Sequence, residues 1–524
     1  MVRFKVVTVI SILWYCLDIS HPVSGKDSCS NSQNIRHQSS SISICNQNSI
    51  SLRRERDADS LTFSILNDSG LSIGISWACF PDGEVNPRIN NPEDIEGKDI
   101  NLVFSPRNKT DFLNAILLLG TIKEYNPRSI RVKIDNWQPQ GEYEDAMLYT
   151  LSVFADEVEG CSVDLISIER YSDAVEVDHF DHILCLDSRL FSVADELADE
   201  FNADSSRVLS VSDSLHWSLE GFSNFEDQDV IVVASTGNVA DIIDLFSLLY
   251  GLRMQGVRTI TLANTYQGYA RQDKIFHEGE GISGYTVLKA LNAFLDYNFA
   301  INVHYGEHSG LVAFPDRGDE TVFNINAFPQ LAEALYNHAR EAKGVDGKTI
   351  LLLAPDDGSF TYVKEAEVAL SKYVSEIGSN VEIISGYLNK VRLDANTVAF
   401  SNLILTSDGE LAELDQDTIV FLLDDETSTG MTVKIGMHYL VNILLEYNLN
   451  PGDIYAGIVH GKFVRGISDY LSRGPNYMTP AYTLCMDTLA LPDDFQALSA
   501  TELFKKVLSN VLSANYYPTV QSVP

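Results

Sequence analysis

Thr418 to Thr432 reads T-I-V-F-L-L-D-D-E-T-S-T-G-M-T. The run Thr418 to Leu423 is short and apolar, as in a strand buried on both faces. It breaks into two adjacent carboxylates, Asp424 and Asp425, and then into Thr427, Ser428, Thr429 and Gly430. An apolar pattern at helical spacing resumes through Val433, Met437, Leu440, Val441 and Leu444. The stretch predicts strand, loop and helix, with the loop at the C-terminal end of a parallel strand. Small residues let such a loop curl, so that backbone N–H groups point inward at the helix N-terminus. That cradle fits a phosphate. Ser428, Thr429 and Thr432 can add hydroxyl donors. Asp424 and Asp425 would repel a phosphate, so sugar hydroxyls or a divalent cation are their natural partners. The two halves together point to a sugar phosphate. The plainer alternative is a Ser/Thr-rich helix N-cap after an ordinary strand.

The chain on either side has the same α/β character. Thr349 to Leu353 predicts a buried strand ending in A-P-D-D-G-S, Ala354 to Ser359. Tyr362 to Ile377 predicts a helix and Val381 to Ser385 a strand. Gly386 to Ala399 is a polar stretch carrying Lys390 and Arg392. Asp453 to Val459 predicts a strand running into His460 and Gly461, and Thr501 to Ala514 an amphipathic helix. Upstream, strands at His182 to Cys185, Val230 to Ala234 and Thr259 to Ala263 alternate with helices at Leu190 to Phe201 and Val239 to Met254. The last of these strands runs into T-Y-Q-G-Y-A-R-Q-D-K, Thr265 to Lys274. A helix at Gly284 to Tyr297 follows, then Phe299 to Val303 leading to His304. Such alternation implies parallel sheets with helices on both faces and ligands at the strand C-termini.

One segment recurs 130 residues later without a gap. Asp99, Val103, Ser105, Asn108, Asp111, Leu118, Leu119, Arg128 and Ile130 return as Asp229, Val233, Ser235, Asn238, Asp241, Leu248, Leu249, Arg258 and Ile260. The register holds across strand, helix and strand, which reads as duplication of one β-α-β unit.

D-D-x-x-S-T-G-x-T resembles the phosphoribosyl loop of type I phosphoribosyltransferases and of ribose-phosphate diphosphokinases. The other motifs decide between them. G-Y-A-R-Q-D-K (Gly268 to Lys274), N-V-H (Asn302 to His304), P-D-D-G (Pro355 to Gly358), K-V-R (Lys390 to Arg392) and the Asp424 loop followed by His460-Gly461 resemble, in order and separation, the diphosphokinases across roughly residues 182–466. The resemblance implies tandem phosphoribosyltransferase-like domains, each a mainly parallel sheet flanked by helices. It implies transfer of the diphosphoryl group of ATP to ribose 5-phosphate, with Mg²⁺ as cofactor. Arg271, Gln272 and Asp273 would bind ATP. His304, Asn302 and Asp356 would stand at the metal. Lys390 and Arg392 would close on the transferring group from a mobile loop. Asp424 and Asp425 would hold the ribose diol, and Ser428, Thr429, Gly430, Met431 and Thr432 the 5-phosphate. Assembly into a homo-oligomer, or a hetero-oligomer with a homologue, is implied as well.

The chain departs from the family pattern. Asn302 stands where the family usually has Asp, Ser359 where it has Gly, and Met431 where it has Gly. Glu426 adds charge beside the cradle, and His277, Glu278 and Glu280 follow Lys274 where the family is basic. The family's adenine-binding flag is missing from its expected place near Asp213 to Gly221. Phe80-Pro81-Asp82-Gly83-Glu84 resembles it, which adds Phe80, Asp82 and Glu84 to the ATP-binding expectation, with residues 61–175 as a degenerate duplicate lending its flag within one chain. A simple P-D-G turn is the alternative. Two functions from different classes follow: an active diphosphokinase for nucleotide biosynthesis, or a non-catalytic regulatory homologue that co-assembles with one.

The chain of 524 residues carries 73 acidic and 37 basic residues, a formal net charge of −36. That balance argues against nucleic acid or anionic membrane as partners. Met1 to Gly25 resembles a secretory signal whose apolar run is too short to span a bilayer. Lys26 to Arg56 is Ser- and Asn-rich and reads as disordered or as a transit segment. A signal followed by such a stretch fits plastid import; a secreted protein, a mis-assigned start codon and a cytoplasmic location stay open. The 7 cysteines are scattered with no CxxC spacing, so free thiols are expected. The expected organisation is 1–25 signal-like, 26–60 linker, 61–175 duplicate, 182–328 N-terminal-type diphosphokinase domain and 329–524 C-terminal phosphoribosyltransferase-type domain.

Overall fold

Asp229–Ala234, Thr259–Asn264 and Tyr297–Ile301 are buried at every residue. That is the burial of strands covered by helices on both faces, and in the computed structural model they lie side by side and parallel. The structure describes residues 50–51, 63–80, 82–106, 108–135, 142–159, 177–210, 217–219, 225–392, 398–405, 414, 417–428, 437, 439–442, 444–445, 453–464, 480–489, 491 and 497–514, all within one unit covering 47–524.

The first segment comprises β1 (Ile50–Ser51), β2 (Phe63–Asn67), β3 (Ile75–Cys79), β4 (Val85–Ile89), β5 (Asp99–Phe104), α1 (Lys109–Lys123), β6 (Ser129–Ile134), α2 (Glu142–Ser152) and β7 (Glu157–Glu159). Its main sheet has the order β2-β5-β6-β7, parallel except for β2. β3 and β4 form an antiparallel hairpin. Its turn is closed by the Phe80 N–H donating to the Glu84 carbonyl at 2.9 Å, with Gly83 at φ +90°.

The second segment runs β8 (His182–Cys185), α3 (Phe191–Phe201), β9 (Asp204–Ser210), β10 (Trp217–Leu219), β11 (Asp229–Ala234), α4 (Val239–Met254), β12 (Thr259–Asn264), α5 (Ser283–Asn292), β13 (Tyr297–Ile301), β14 (Gly310–Phe314) and β15 (Arg317–Ile325). Its sheet order is β10-β9-β8-β11-β12-β13-β15-β14, antiparallel only at the two outer pairs. The third runs α6 (Phe328–Lys343), β16 (Thr349–Ala354), α7 (Phe360–Glu376), β17 (Glu382–Arg392), β18 (Val398–Leu405), β19 (Ile419–Thr427), β20 (Ile454–Gly461), β21 (Tyr482–Met486), β22 (Ala497–Leu498) and α8 (Thr501–Ala514). Its order is β18-β17-β16-β19-β20-β21-β22, with β18 alone antiparallel to its neighbour. Among the described residues no helix is long and apolar enough to cross a membrane.

Successive residues of β11 serve different cores, as the two-residue period of a strand requires. Val230 and Val232 join one hydrophobic cluster that runs through α4 and α5 into α1, α2 and the first sheet. Ile231 and Val233 join another, which passes through α3 and α6 to Ile350, Leu352 and Phe421 of the third sheet. The α/β expectation of mainly parallel sheets flanked by helices therefore holds.

Two local expectations are corrected. Asp424 and Asp425 do not begin the loop: β19 continues through Thr427 and is buried throughout, because β20 pairs with it as far as Thr427 opposite Gly461. Lys390 and Arg392 lie in β17, not in a loop, since β18 folds back against them with Lys390 opposite Phe400 and Arg392 opposite Val398. A register shift falls between Asn389 and Lys390. Most of the expected 1–60 region, the 160–176 stretch and the expected helix after Thr432 fall largely outside the described residues.

Candidate functional site

β12 ends at Asn264, and its continuation through Lys274 is pinned to the neighbouring strand's loop. The Gly268 N–H donates to Thr236 Oγ1 at 2.8 Å. A Cβ at Gly268 would stand 2.0 Å from the Thr236 carbonyl oxygen, so only glycine lets the two backbones approach this closely. The turn brings the Tyr269 N–H and the Gln272 side chain inward and leaves Arg271 44% exposed. Asp273 is half-buried beside them.

The β3–β4 hairpin of the first segment meets this loop. Glu84 accepts from the Tyr269 N–H at 3.0 Å through Oε1 and from Gln272 Nε2 at 3.1 Å through Oε2. Phe80, at the hairpin tip, is exposed. The structure thus brings Asp82 and Glu84 to the Arg271 loop within one chain.

Lys462, two residues past His460, joins these parts. Its Nζ lies 2.9 Å from Asp82 Oδ2, 3.2 Å from Glu84 Oε1 and 3.1 Å from Glu426 Oε1. It also stands 4.8 Å above the Tyr266 ring, and its side chain is only 7% exposed. Burial pushes its amine down, but the fields of Glu426, Glu84 and Asp82 outweigh burial and raise it above its ordinary value. Burial drives the Glu84 carboxyl up against the pull of Lys462. Glu426 also accepts from the Tyr266 hydroxyl at 3.1 Å and lies 3.6 Å from Arg271 Nη1. Three carboxylates from two distant parts of the chain therefore surround one buried ammonium, with a guanidinium at the edge. Sequence reading missed Lys462; its only signal was a cation directly after a buried strand end.

Asp425, one position before Glu426, takes the next partner. Its Oδ2 is 2.7 Å from His304 Nδ1. Burial would raise the Asp425 carboxyl, but the charge and hydrogen bond of His304, with the fields of His460 and Arg271, hold it down at about 2. His304 is raised in turn: Asp425 outweighs the burial that opposes its protonated form. Behind them His460 is buried and lowered by burial. Its Nε2 is 2.9 Å from the Ile301 carbonyl, so Nε2 carries the proton that donates there. Its Nδ1 lies 2.9 Å from Thr488 Oγ1.

The remaining expected residues are placed as follows. Asp424 is buried on β19 beside Asp425. The Ser428 hydroxyl is buried and finds no hydrogen-bond partner among the described residues. Thr429, Gly430, Met431 and Thr432 lie outside the described residues. Asp356 follows β16, the strand beside β19, and accepts from the Gly358 N–H at 3.2 Å. Lys390 and Arg392 are placed by backbone only, at the end of β17. Asn302, at φ +38°, faces inward: its Oδ1 accepts from the Ala327 N–H at 2.7 Å and its Nδ2 donates to Asn326 Oδ1 at 3.4 Å.

Of the residues expected at magnesium, Asn302 is turned to Ala327 and Asn326. His304 is held by Asp425 through Nδ1, an arrangement in which a histidine can ligate a metal through its other ring nitrogen. Among the described residues no three His, Cys, Asp or Glu side chains are grouped to hold a metal ion.

No family model matches the chain. Over 271 residues it is 29% identical to the ribose-phosphate pyrophosphokinase of Methanobrevibacter smithii, covering 50% of this chain and 80% of that protein. Over 260 residues it is 27% identical to the ribose-phosphate pyrophosphokinase of Pyrococcus abyssi, covering 49% of this chain and 77% of that one. The crystal structure of phosphoribosylpyrophosphate synthetase from Mycobacterium smegmatis aligns with 64% of this chain and 99% of its own, at 17% identity and a TM-score of 0.45. Over about half of its length, this chain is similar in sequence to ribose-phosphate pyrophosphokinases.

Proposed function

We propose that the chain transfers the β,γ-diphosphoryl group of ATP to the anomeric hydroxyl of ribose 5-phosphate, giving 5-phosphoribosyl 1-diphosphate and AMP. The observation that carries this reading is the meeting of Arg271, the His304–Asp425 pair and the Asp82/Glu84 hairpin around Lys462. Arg271, Gln272 and Asp273, with Phe80, Asp82 and Glu84 on the same side, take the nucleotide. Asp424 and Asp425 take the ribose diol. Ser428, whose buried hydroxyl has no hydrogen-bond partner among the described residues, takes the 5-phosphate together with Thr429, Gly430, Met431 and Thr432.

In the transfer the anomeric oxygen bonds to the β-phosphorus. The bond from that phosphorus to the bridging oxygen breaks, the electron pair leaves with AMP, and the hydroxyl proton passes to solvent. Such a reaction needs positioning and charge neutralisation more than a strong base. Lys390 and Arg392 are assigned to the transferring group. Mg²⁺ belongs to the reading as an ion brought by the nucleotide's phosphates, since Mg²⁺ at nucleotide sites is often held largely by substrate oxygens.

The test is AMP release by the purified protein given ATP, Mg²⁺ and ribose 5-phosphate. Lys390→Ala is expected to lower kcat by about 100- to 1000-fold, the typical cost of one preorganised donor, with thermal unfolding unchanged. The 3.6 Å contact of Glu426 with Arg271 favours a second reading, because a carboxylate already stands against the cation meant for substrate. In that reading the chain is a non-catalytic regulatory homologue of an active diphosphokinase. No AMP release, with capture of a second homologue, selects it.

A further inference from the structure

Residues 99–156 and 229–296 make the same bonds at matching places. Arg128 Nε donates to Asp99 Oδ1 at 2.7 Å and the Ser129 hydroxyl to the same oxygen at 2.8 Å. Arg258 Nε donates to Asp229 Oδ1 at 3.0 Å and the Thr259 hydroxyl at 2.6 Å. Asn108 caps α1 by accepting from the Asp111 N–H, and Asn238 caps α4 by accepting from the Asp241 N–H. The Ile130 N–H donates to Asp156 at 2.7 Å, and the Ile260 N–H to Asp296 at 2.7 Å. Even the left-handed turn residues correspond: Gly97 and Asn126 in the first segment, Asp227 and Gly256 in the second. Shared side-chain bonding at this detail is the mark of a copied unit, since a common strand-helix-strand order alone would not fix it.

The copies also pack on each other reciprocally. α1 lies on α5, α2 lies on α4, and the two leading helices α1 and α4 touch. Each copy thus presents its first helix to the second helix of the other, the pattern of a two-fold, isologous interface. The approach is close on both sides: a Cβ at Gly120 would meet Thr286 Oγ1 at 2.1 Å, and one at Gly281 would meet Thr121 Oγ1 at 2.1 Å. Tyr149 of α2 packs against Tyr250 of α4 and against Phe294, with ring centroids 6.1 and 5.0 Å apart. One continuous hydrophobic cluster spans the pair.

Function is divided unequally between the copies. The first sends its hairpin to the second, with the Ile89 N–H donating to the Gly279 carbonyl at 2.7 Å, the Ser283 hydroxyl to Asn86 at 2.7 Å, and Glu84 on the Arg271 loop. Where the second copy reads T-Y-Q-G-Y-A-R-Q-D-K, residues 135–144 of the first read D-N-W-Q-P-Q-G-E-Y-E, with no cation at all.

We propose that the first segment is a built-in partner subunit. It is a copy that has kept the pairing face and the acidic hairpin, given up its own cationic loop, and completes the Arg271 site from within the same chain. One chain then holds one complete site, and the face through which a second copy would pair in this way is already covered. That the site takes a nucleotide rests on the proposed function; the pairing does not.

Carbodiimide coupling of carboxylates to amines in the unmodified full-length protein tests it. Lys109 and Asp244 form an ion pair across the two copies, and Lys462 and Asp82 form one at the site. Both linked peptide pairs are expected in the denatured band at the mass of one chain, 58.1 kDa. Recovery of the Lys109–Asp244 pair only from a band of twice that mass, or its absence from both bands, overturns the proposal. The readout needs no turnover, so an inactive protein with both links at single-chain mass would remove the enzymatic reading and leave the built-in partner standing.

Discussion

Lys462 holds Asp82, Glu84 and Glu426 together with an ammonium that is itself almost wholly buried. Removing one partner of a buried ion cluster leaves the others desolvated and uncompensated, at a cost of about 3–5 kcal/mol. Lys462→Met is therefore expected to lower unfolding free energy by about that amount in a denaturant titration, and adding Glu84→Gln and Glu426→Gln should recover part of it. Asp241 gives a pH signature. Burial lifts its carboxyl to about 6, with Arg189 pulling down and Asp187 and Asp244 pushing up. A carboxyl raised in the folded state binds its proton more tightly there than in the unfolded chain. Its contribution is complete below the ordinary value near 3.8 and is lost as pH rises through about 6. Asp241→Asn should match the parent's melting temperature near pH 4 and exceed it at pH 7. At this scale the sequence showed Arg271, His304 and Asp425 because they sit in recognisable strings. It could not show Lys462, because the role of that lysine depends on two carboxylates 378 and 380 residues away.

At the scale of elements, alternating apolar runs and helical spacing made the parallel strands and their helices legible. β11, β12, β13 and β16 fall within a residue or two of where the sequence placed them. What was not legible was pairing. β19 outruns its apolar stretch because β20 continues beside it, so Asp424 to Thr427 are strand residues despite their polarity. β17 likewise reaches Arg392 because β18 turns back along it. The α1–α5 crossing supplies the element's own test. Gly120 is a weak helix former in mid-helix, and it is retained where a Cβ would enter Thr286. Gly120→Ala improves intrinsic helix propensity by about 1 kcal/mol yet overpacks the crossing by about 1–3 kcal/mol. A lowered melting temperature is therefore expected, where a helix surface position would show a rise.

For the whole molecule, the question is what α4 would do without the first segment. Its buried residues run from Ile242 to Leu252 almost without interruption, so it is apolar around most of its circumference. The second sheet covers one side of such a helix, and α1 and α2 cover another. A chain of residues 177–524 would keep the Arg271 loop, His304 and both aspartates but bare the rest of α4 and the α5 face at Thr286. Monomeric proteins rarely expose a contiguous apolar patch of more than a few hundred Å², and this one is already shaped for a helix pair like itself. Residues 177–524 should therefore self-associate or precipitate, and light scattering should find little single-chain species. Adding residues 47–159 as a separate polypeptide should restore a soluble one-to-one complex. A stable, soluble monomer of 177–524 alone would mean that the first segment is an appendage and not the other half of an interface. The acidic excess within residues 177–524 sharpens the result: like-charge repulsion opposes association of two such chains, so any pairing that survives it must come from the bared apolar face.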